Sequence, residues 1–379
     1  MSGFGVYVHV PFCSSLCPYC DFAVVVGRAD MHERYCDALI DEARAQRDIP
    51  VATSLFIGGG TPTALSPALL RDLIEGLRAV LPLADGAEVT VEANPESVTA
   101  AGLREAAEAG VNRVSIGAQS FAPRVLRALG RTHSVEQAAN AVAAARAAGI
   151  RNVSLDLIYG GPGETIGDWT DSVSRALEEG PDHLSAYALT IEAATPFGKA
   201  VARGAMDEPD QDDLAAKYEI VCAKLENAGY RHYEISNWAR PGLASRHNLL
   251  YWTQGDYVGL GIGAHSHRDG HRSWNTRALG RYLADPAGAR DGEEDLTGKQ
   301  RAEEWLSLRM RLIDGVDLRD AEMRLGCDLR DAAAECERAG LLVKDGETVR
   351  LTTKGMLLEN EVTLRLLASS PLALDMVEC

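Results

Sequence analysis

The sequence has no apolar run that approaches the ~20 residues of a transmembrane helix, and positive charge is scarce. Lys and Arg total 38 against 55 Asp and Glu, so the formal net charge is −17. A general nucleic-acid binder needs a basic surface to displace counterions, so the charge argues against that class and against electrostatic docking on an anionic membrane. The N-terminus has no basic segment followed by an apolar core, so we expect no secretory signal and a cytoplasmic protein.

Cysteine is also sparse, with eight in 379 residues, and five of the eight are scattered along the chain. The other three, Cys13, Cys17 and Cys20, lie within eight residues of one another. A disulfide framework would be spread more evenly and suits small secreted domains. In a cytosolic protein a cluster of this kind indicates a metal site. The length, at ~150 residues per domain, predicts two or three domains.

Six β-rich runs alternate with Ala-rich or charged segments of helical spacing in the first two thirds of the chain. The alternation predicts βαβ units and a parallel sheet, either an open (β/α)6 barrel or a doubly wound sheet. In barrels, ligand chemistry collects at the C-terminal ends of the strands. The predicted strands are Gly5–Val10, Ser54–Ile57, Glu88–Glu92, Arg113–Gly117, Asn152–Ile158 and His183–Leu189.

The alternation ends near residue 230. Tyr230–Gly270 shows little periodicity, and Asp285–Thr297, with five acidic residues, has the composition of a linker. Helical patterns follow, and an Asp-Gly turn at Asp345 and Gly346 predicts a hairpin, so the end of the chain resembles a winged-helix module. With 12 basic and 16 acidic residues, a net of −4, this module is not expected to bind DNA. The predicted domains are 1–230, 231–296 and 297–379.

The cysteine cluster has the spacing C-x3-C-x2-C and directly follows the first predicted strand. Three thiolates can hold three irons of a [4Fe–4S] cluster and leave the fourth iron open. That iron can chelate the amino and carboxylate groups of S-adenosylmethionine. The alternatives are a zinc site or chance, but structural zinc takes four ligands and no fourth Cys or His lies nearby at finger spacing.

Here the sequence resembles the radical S-adenosylmethionine (SAM) superfamily, and within it the branch of oxygen-independent coproporphyrinogen III oxidase. The Tyr-x-His-x-Pro-Phe-Cys lead-in of that branch is Tyr7 to Cys13, and its Gly-Gly-Gly-Thr-Pro turn is Gly58 to Pro62. The resemblance implies an α/β fold: a partial (β/α)6 TIM-like barrel of the radical SAM type with a small C-terminal α+β winged-helix-like module. It also implies two cofactors, a [4Fe–4S] cluster and SAM.

The resemblance assigns candidate site residues. Asp156 interrupts an apolar strand, and a mid-strand carboxylate that points into a barrel needs a polar partner or ligand. For Glu92 and Arg131 the alternatives are an exposed strand end and a surface arginine. The cluster ligands are Cys13, Cys17 and Cys20, and the SAM contacts are Tyr7, Gly59, Gly60, Thr61, Glu92, Gln119, Arg131 and Asp156.

Two features favour the HemW-type haem chaperones over the oxidase. Phe22 stands where the oxidase has a fourth cysteine, and the 12 residues before Cys13 are too few for the oxidase's N-terminal extension. The chain also contains the H-N-x-x-Y-W motif of that branch, which is linked to haem binding. Its residues are His247, Asn248, Tyr251 and Trp252, with His265 as an alternative haem ligand. The competing interpretation is that the motif packs a loop onto the barrel.

The resemblance therefore implies a cytoplasmic haem chaperone that passes haem to apo-haemoproteins. We expect these recipients to be respiratory enzymes, through which the protein reaches the membrane surface, and we expect a homodimer. Two alternatives stay open. One is oxidative decarboxylation of coproporphyrinogen III, and the other is radical SAM chemistry on another substrate.

Overall fold

The computed structural model describes residues 3–368. Residues 1–2 and 369–379, the outermost parts of the first and third predicted domains, lie outside the described residues. One large hydrophobic core extends from Phe4 to Ala289, and a second lies between Trp305 and Leu366. Among the described residues, no helix combines the length and the hydrophobicity that crossing a membrane requires.

Six parallel strands form the partial barrel and confirm the strands predicted from the sequence. They lie side by side in the order β1-β4-β5-β6-β7-β8, and two short strands, β2 and β3, pair beside them. Their bounds are β1 (Phe4–Val10), β2 (Phe12–Cys13), β3 (Val25–Val26), β4 (Ala52–Gly59), β5 (Leu83–Ala93), β6 (Arg113–Gln119), β7 (Asn152–Tyr159) and β8 (His183–Ala188).

Helices cover the outer face of this sheet, which is why the strands are apolar on that side. Several begin at well-defined caps: Ser66 accepts the Leu69 N–H, and Ser134 and Thr165 form capping boxes with the third residue of their helices. The helices are α1 (His32–Ala45), α2 (Pro67–Val80), α3 (Ala100–Glu108), α4 (Pro123–Ala128), α5 (Val135–Ala147), α6 (Ile166–Glu178), α7 (Pro196–Ala202) and α8 (Gln211–Asn227).

The segment after residue 230 extends the sheet at both edges. β11 pairs parallel with β1 and continues into an antiparallel meander, whereas β10 and β9 add antiparallel to β8. The linker prediction for Asp285–Thr297 is wrong, because this segment contains β14, whose side chains are almost all exposed at the sheet edge. The bounds are β9 (Arg231–Glu234), β10 (Asn237–Ala239), α9 (Arg246–Trp252), β11 (Asp256–Leu260), β12 (His265–Arg268), β13 (His271–Asn275), α10 (Leu279–Ala284) and β14 (Arg290–Asp295).

The C-terminal module has helices followed by a hairpin, as the sequence predicts. β16 and β17 pair antiparallel across the turn at Gly346, which has φ +62°, and β15 adds to β17. Trp305 and Met310 of α11 belong to the module's own core. The elements are α11 (Gly298–Met310), β15 (Val316–Asp317), α12 (Leu318–Leu325), α13 (Arg330–Arg338), β16 (Leu342–Asp345), β17 (Thr348–Leu351), α14 (Thr353–Leu357) and α15 (Glu359–Ala368).

Candidate functional site

The three clustered cysteines line one cavity of about 600 Å³ at the C-terminal ends of the barrel strands. Cys13 lies in β2, and the Cys20 N–H donates to the Cys17 carbonyl at 3.1 Å, which closes the loop between them. All three are free thiols. Burial raises the pKa of Cys13 and Cys20. Three thiols that converge on a ligand-sized cavity suit a metal–sulfur group.

The three thiols line the cavity alongside two apolar side chains of the same loop. Within residues 3–368, no three His, Cys, Asp or Glu side chains lie close enough together to hold a single metal ion. Leu16 and Phe22, on the same loop, are 52% and 69% exposed. The cysteine loop therefore brings both its sulfur atoms and two largely exposed apolar side chains to the cavity.

The glycine-rich turn after β4 supports the cysteine loop. The N–H groups of Gly60 and Thr61 donate to the carbonyls of Val10 and Phe12, both at 2.8 Å. Gly59 has φ +106°, and a Cβ there would lie 2.3 Å from Nδ1 of His9. Only glycine therefore fits this position, which belongs to the cavity wall.

Two carboxylates stand on the barrel wall below the thiols. Burial raises the pKa of Glu92 to about 7, with Asp156 adding to the shift, and Glu92 accepts the Gly59 N–H at 2.9 Å. Asp156 accepts three serine hydroxyls, at 2.7, 2.8 and 3.1 Å, from Ser185, Ser115 and Ser154. The polar partners that its position in the strand requires are thus present, and both carboxylates line the cavity.

A chain of polar contacts joins two of the cysteines. The Cys13 thiol lies 3.6 Å from Thr61 Oγ1, which accepts from Asn94 Nδ2 at 2.7 Å. The Asn94 carbonyl oxygen accepts from Arg131 at 2.5 Å, and Arg131 donates to the Cys17 sulfur at 3.5 Å. Arg131 is therefore no surface residue: its side chain is 6% exposed. Asn94 is not among the site residues predicted from the sequence, although its place directly after a strand is a signal for one.

Gln119 and Tyr7 occupy different positions relative to the cavity. Gln119 lines it with φ +61°, a left-handed conformation that is unusual for a side chain other than glycine. Tyr7 is half-buried and donates its hydroxyl to Nδ1 of His9 at 3.0 Å, because His9 Nε2 donates to the Ala23 carbonyl. Tyr7 thus supports the cavity wall from behind, through the buried His9.

The H-N-x-x-Y-W motif forms helix α9, which closes the bottom of the barrel. His247 is 1% exposed, and its two ring nitrogens hydrogen bond to Ser54 Oγ and Tyr251 Oη, both at 2.8 Å. Its ring stacks on Phe56 with centroids 5.2 Å apart, and burial lowers its pKa to about 3. A direct bond from His247 to haem iron does not fit this geometry, because neither ring nitrogen is free.

The rest of the motif connects three parts of the molecule. Asn248 lines the cavity from below. Tyr251 packs edge-on against Tyr257, and the Trp252 ring lies under the Arg311 guanidinium, 4.5 Å away. Trp252 Nε1 has no hydrogen-bond partner among residues 3–368. Tyr251 and Trp252 thus pack against protein, and α9 bridges the barrel floor and the C-terminal module.

His265 and His267 differ in their surroundings. His267 is buried, and its Nδ1 lies 3.3 Å from the Gly255 carbonyl and 3.5 Å from Asp256. His265 is exposed on β12 and stacks on Trp274, with centroids 5.8 Å apart. Within the described chain no hydrogen bond engages the imidazole of His265. Of the histidines that the sequence analysis considered for iron ligation, His265 alone is open to a ligand.

Comparisons with known proteins identify the family of the chain. The radical SAM superfamily profile matches residues 7–176, and that of the HemN C-terminal domain matches residues 296–358. The chain is 42% identical to the haem chaperone HemW of Mycobacterium tuberculosis, over 96% of this chain and 95% of that protein. It is 36% identical to HemW of Escherichia coli, over 94% and 96%.

Among solved structures, the coproporphyrinogen III oxidase HemN of Escherichia coli, a radical SAM enzyme, superposes with a TM-score of 0.82. The match has 25% identity and covers 96% of this chain and 90% of the oxidase chain. The barrel with its C-terminal module is thus an architecture that this chain shares with HemN, and the overall similarity of sequence is greater to HemW. The chain belongs to the HemW family of haem chaperones, within the radical SAM superfamily.

Proposed function

We propose that the protein is a haem chaperone that binds haem and transfers it to apo-haemoproteins, on a scaffold that holds a [4Fe–4S] cluster and SAM. The observation that carries this proposal is the near full-length identity to HemW, 42% over 96% of the chain. The site is consistent with it, because the thiols, the glycine turn and the cavity carry the features of the radical SAM superfamily.

Cys13, Cys17 and Cys20 are the proposed cluster ligands, since they are the three thiols that line the cavity. When bound, such a cluster with SAM supplies one-electron chemistry. Around the cluster, the side chains of the protein bind and orient SAM, and they exclude water from the site. Of the proposed SAM residues, six line the cavity and act by contact, whereas Tyr7 and Thr61 hold the wall. The contact residues are Gly59, Gly60, Glu92, Gln119, Arg131 and Asp156.

For haem, the structure favours His265 as the iron ligand. A neutral imidazole is a suitable axial ligand, and burial and the nearby charges of Arg272 and Arg277 lower the pKa of His265, which keeps it neutral. Trp274 offers an aromatic face beside it. Arg272 is paired with Glu294 and Glu304, whereas Arg277 has no ion pair within the described residues and suits a propionate of haem.

The proposed haem site at His265 lies next to the cysteine loop. The side chain of Arg277 donates to the Asp21 carbonyl at 2.6 Å, and a Cβ on Gly263 would lie 3.0 Å from Ala23. Haem at His265 would therefore adjoin the loop that carries the thiols. Ligation by His247 and contacts from Asn248, Tyr251 and Trp252 form the alternative, which requires the His247 ring to leave Ser54 and Tyr251.

The test is an anaerobic haem titration of the reconstituted protein, followed by Soret absorbance. We expect saturable binding in the wild type, a weakened or shifted Soret band in His265→Ala, and an unchanged band in the control His271→Ala, which alters another exposed histidine, on β13. A change confined to His247→Ala, in a variant that keeps its far-UV circular dichroism, would move the ligand to α9. Absence of saturable binding in the wild type would overturn the chaperone proposal.

A second assay addresses the recipients and the enzymatic alternative. Haem-loaded protein should transfer haem to an apo-haemoprotein, and the appearance of the recipient's own haem absorbance spectrum measures this transfer. Respiratory enzymes are the recipients that we propose. Anaerobic turnover with coproporphyrinogen III should give no protoporphyrinogen. Product formation would instead favour the oxidase activity that HemN, with TM-score 0.82, exemplifies.

A further inference from the structure

The floor of the barrel contains a row of polar side chains that the proposed function does not use. Thr90, Arg113 and Asn152 are register partners on β5, β6 and β7. Side chains at paired positions of parallel strands point to the same face of the sheet. Arg113 also lines the cavity, together with Ser115 and Gln119 further along the same strand.

Arg113 is 2% exposed and forms no ion pair or side-chain hydrogen bond within the described residues, and its Nε is buried without an acceptor. Thr90 Oγ1 and Asn152 Oδ1, in the same row, are also buried without a partner. A buried guanidinium without a counter-charge is strongly unfavourable, as are buried polar atoms without hydrogen bonds. Of these three residues, Arg113 lines the cavity, and an unpaired guanidinium there indicates a missing ligand.

The nearby carboxylates form no ion pair with Arg113 within the described residues, although its charge offsets part of the rise in the pKa of Glu92. Glu92 accepts the Gly59 N–H, and Asp156 accepts its three serine hydroxyls. The nearby histidines carry no negative charge, and His183 and His247 have both ring nitrogens engaged. The charge of Arg113 therefore faces the cavity uncompensated by any ion pair.

We propose that Arg113 is the anchor of an anion subsite on the cavity floor, which takes the carboxylate of a small molecule bound beneath the thiols. The planar guanidinium fork matches a carboxylate. A singly charged carboxylate suits the site better than a phosphate dianion, because Glu92 and Asp156 line the same cavity and would repel the second charge. Asn248, which reaches the cavity from α9, is placed to donate a further hydrogen bond.

This ligand is distinct from SAM. Arg113 begins β6 and Gln119 ends it, so their Cα atoms lie ~20 Å apart at ~3.3 Å per residue, and Arg113 is anchored at the end of the strand away from the cysteine loop. The carboxylate of SAM would be held at the mouth by the cluster. The subsite therefore makes the cavity a place for a second, carboxylate-bearing molecule, and it stands whether or not haem binds at His265.

The first test uses 13C-labelled propionate as the probe and NMR line broadening as the readout, on the full-length reconstituted protein. We expect saturable binding in the wild type, about tenfold weaker binding in Arg113→Gln, and intermediate binding in Arg113→Lys. Arg124→Gln, an exposed arginine on α4, is the matched control and should bind as the wild type does. Labelled propionamide, which has no charge, should bind to none of them.

A second measurement needs no variant and so does not depend on folding of the substituted chains. Crystals of the wild type soaked in 3-bromopropionate should show anomalous bromine density in the cavity, with the carboxylate within hydrogen-bond reach of Arg113. Equal propionate binding by wild type and Arg113→Gln would overturn the proposal. So would a floor occupied only by water at saturating probe.

Discussion

Replacing Glu92 by Gln is expected to stabilise the protein at high pH. Burial raises the pKa of Glu92 to about 7, against 4.5 in an unfolded chain. Because the folded pKa is the higher one, the contribution of Glu92 to stability is fully present below pH 4.5 and is lost as the pH rises to about 7. The shift corresponds to an upper limit of about 3 kcal/mol, at about 1.4 kcal/mol per pKa unit.

The substitution keeps an oxygen that can accept the Gly59 N–H, so it removes the ionisation and little else. In urea unfolding without added SAM, Glu92→Gln should match the wild type near pH 4.5 and gain up to about 3 kcal/mol over it by pH 8. SAM affinity measured by equilibrium dialysis should nevertheless fall by about tenfold, since a contact to the cofactor's charge is lost.

Glu42 provides a matched control. Burial raises its pKa to about 7 as well, but it lies on α1 and accepts from Tyr282, Asn275 and the Gly261 N–H, outside the cavity. Glu42→Gln should show a similar pH dependence of stability and unchanged SAM affinity. If the stability difference between Glu92→Gln and wild type stays constant from pH 4.5 to 8, the reasoning about a desolvated wall carboxylate is refuted.

Three further substitutions test other parts of the site. Gly59→Ala places a Cβ 2.3 Å from His9 Nδ1 at φ +106° and should lower the free energy of unfolding by about 3 kcal/mol in a urea titration. The control Gly27→Ala, at φ +73° with nothing within 4 Å of the new Cβ, should lower it by about 1 kcal/mol. Arg131→Gln removes the contact to Cys17 and should lower the iron retained per chain on desalting by at least half, with Arg124→Gln unchanged. Trp252→Phe should cost about 1 kcal/mol through weaker stacking with Arg311, read from the thermal midpoint.

The sequence predicts the barrel well because its evidence is local. Each of the six runs carries its own apolar pattern, and the positions after them accumulate glycine and polar residues. It fails at β14, since an edge strand with exposed side chains on both faces has the composition of a linker. It also does not show that Asp156 is satisfied by serines from three strands, because that depends on strand register. For the same reason the unpaired charge of Arg113 is not visible in the sequence.

The H-N-x-x-Y-W motif shows why a residue pattern needs a structure before it assigns a role. In the sequence, the resemblance to the HemW-type branch links His247 and two aromatic residues to haem binding, whereas the residues alone equally suit a packed loop. In the fold, Glu88 binds the backbone N–H of His247 at 3.1 Å, and Ser54 and Tyr251 occupy its ring. The motif instead forms helix α9, on which Asn248 lines the cavity and Trp252 packs against Arg311 of the C-terminal module. A residue that supports the floor and one that ligates haem would both impair haem transfer when substituted, so only a spectroscopic readout of the iron distinguishes them.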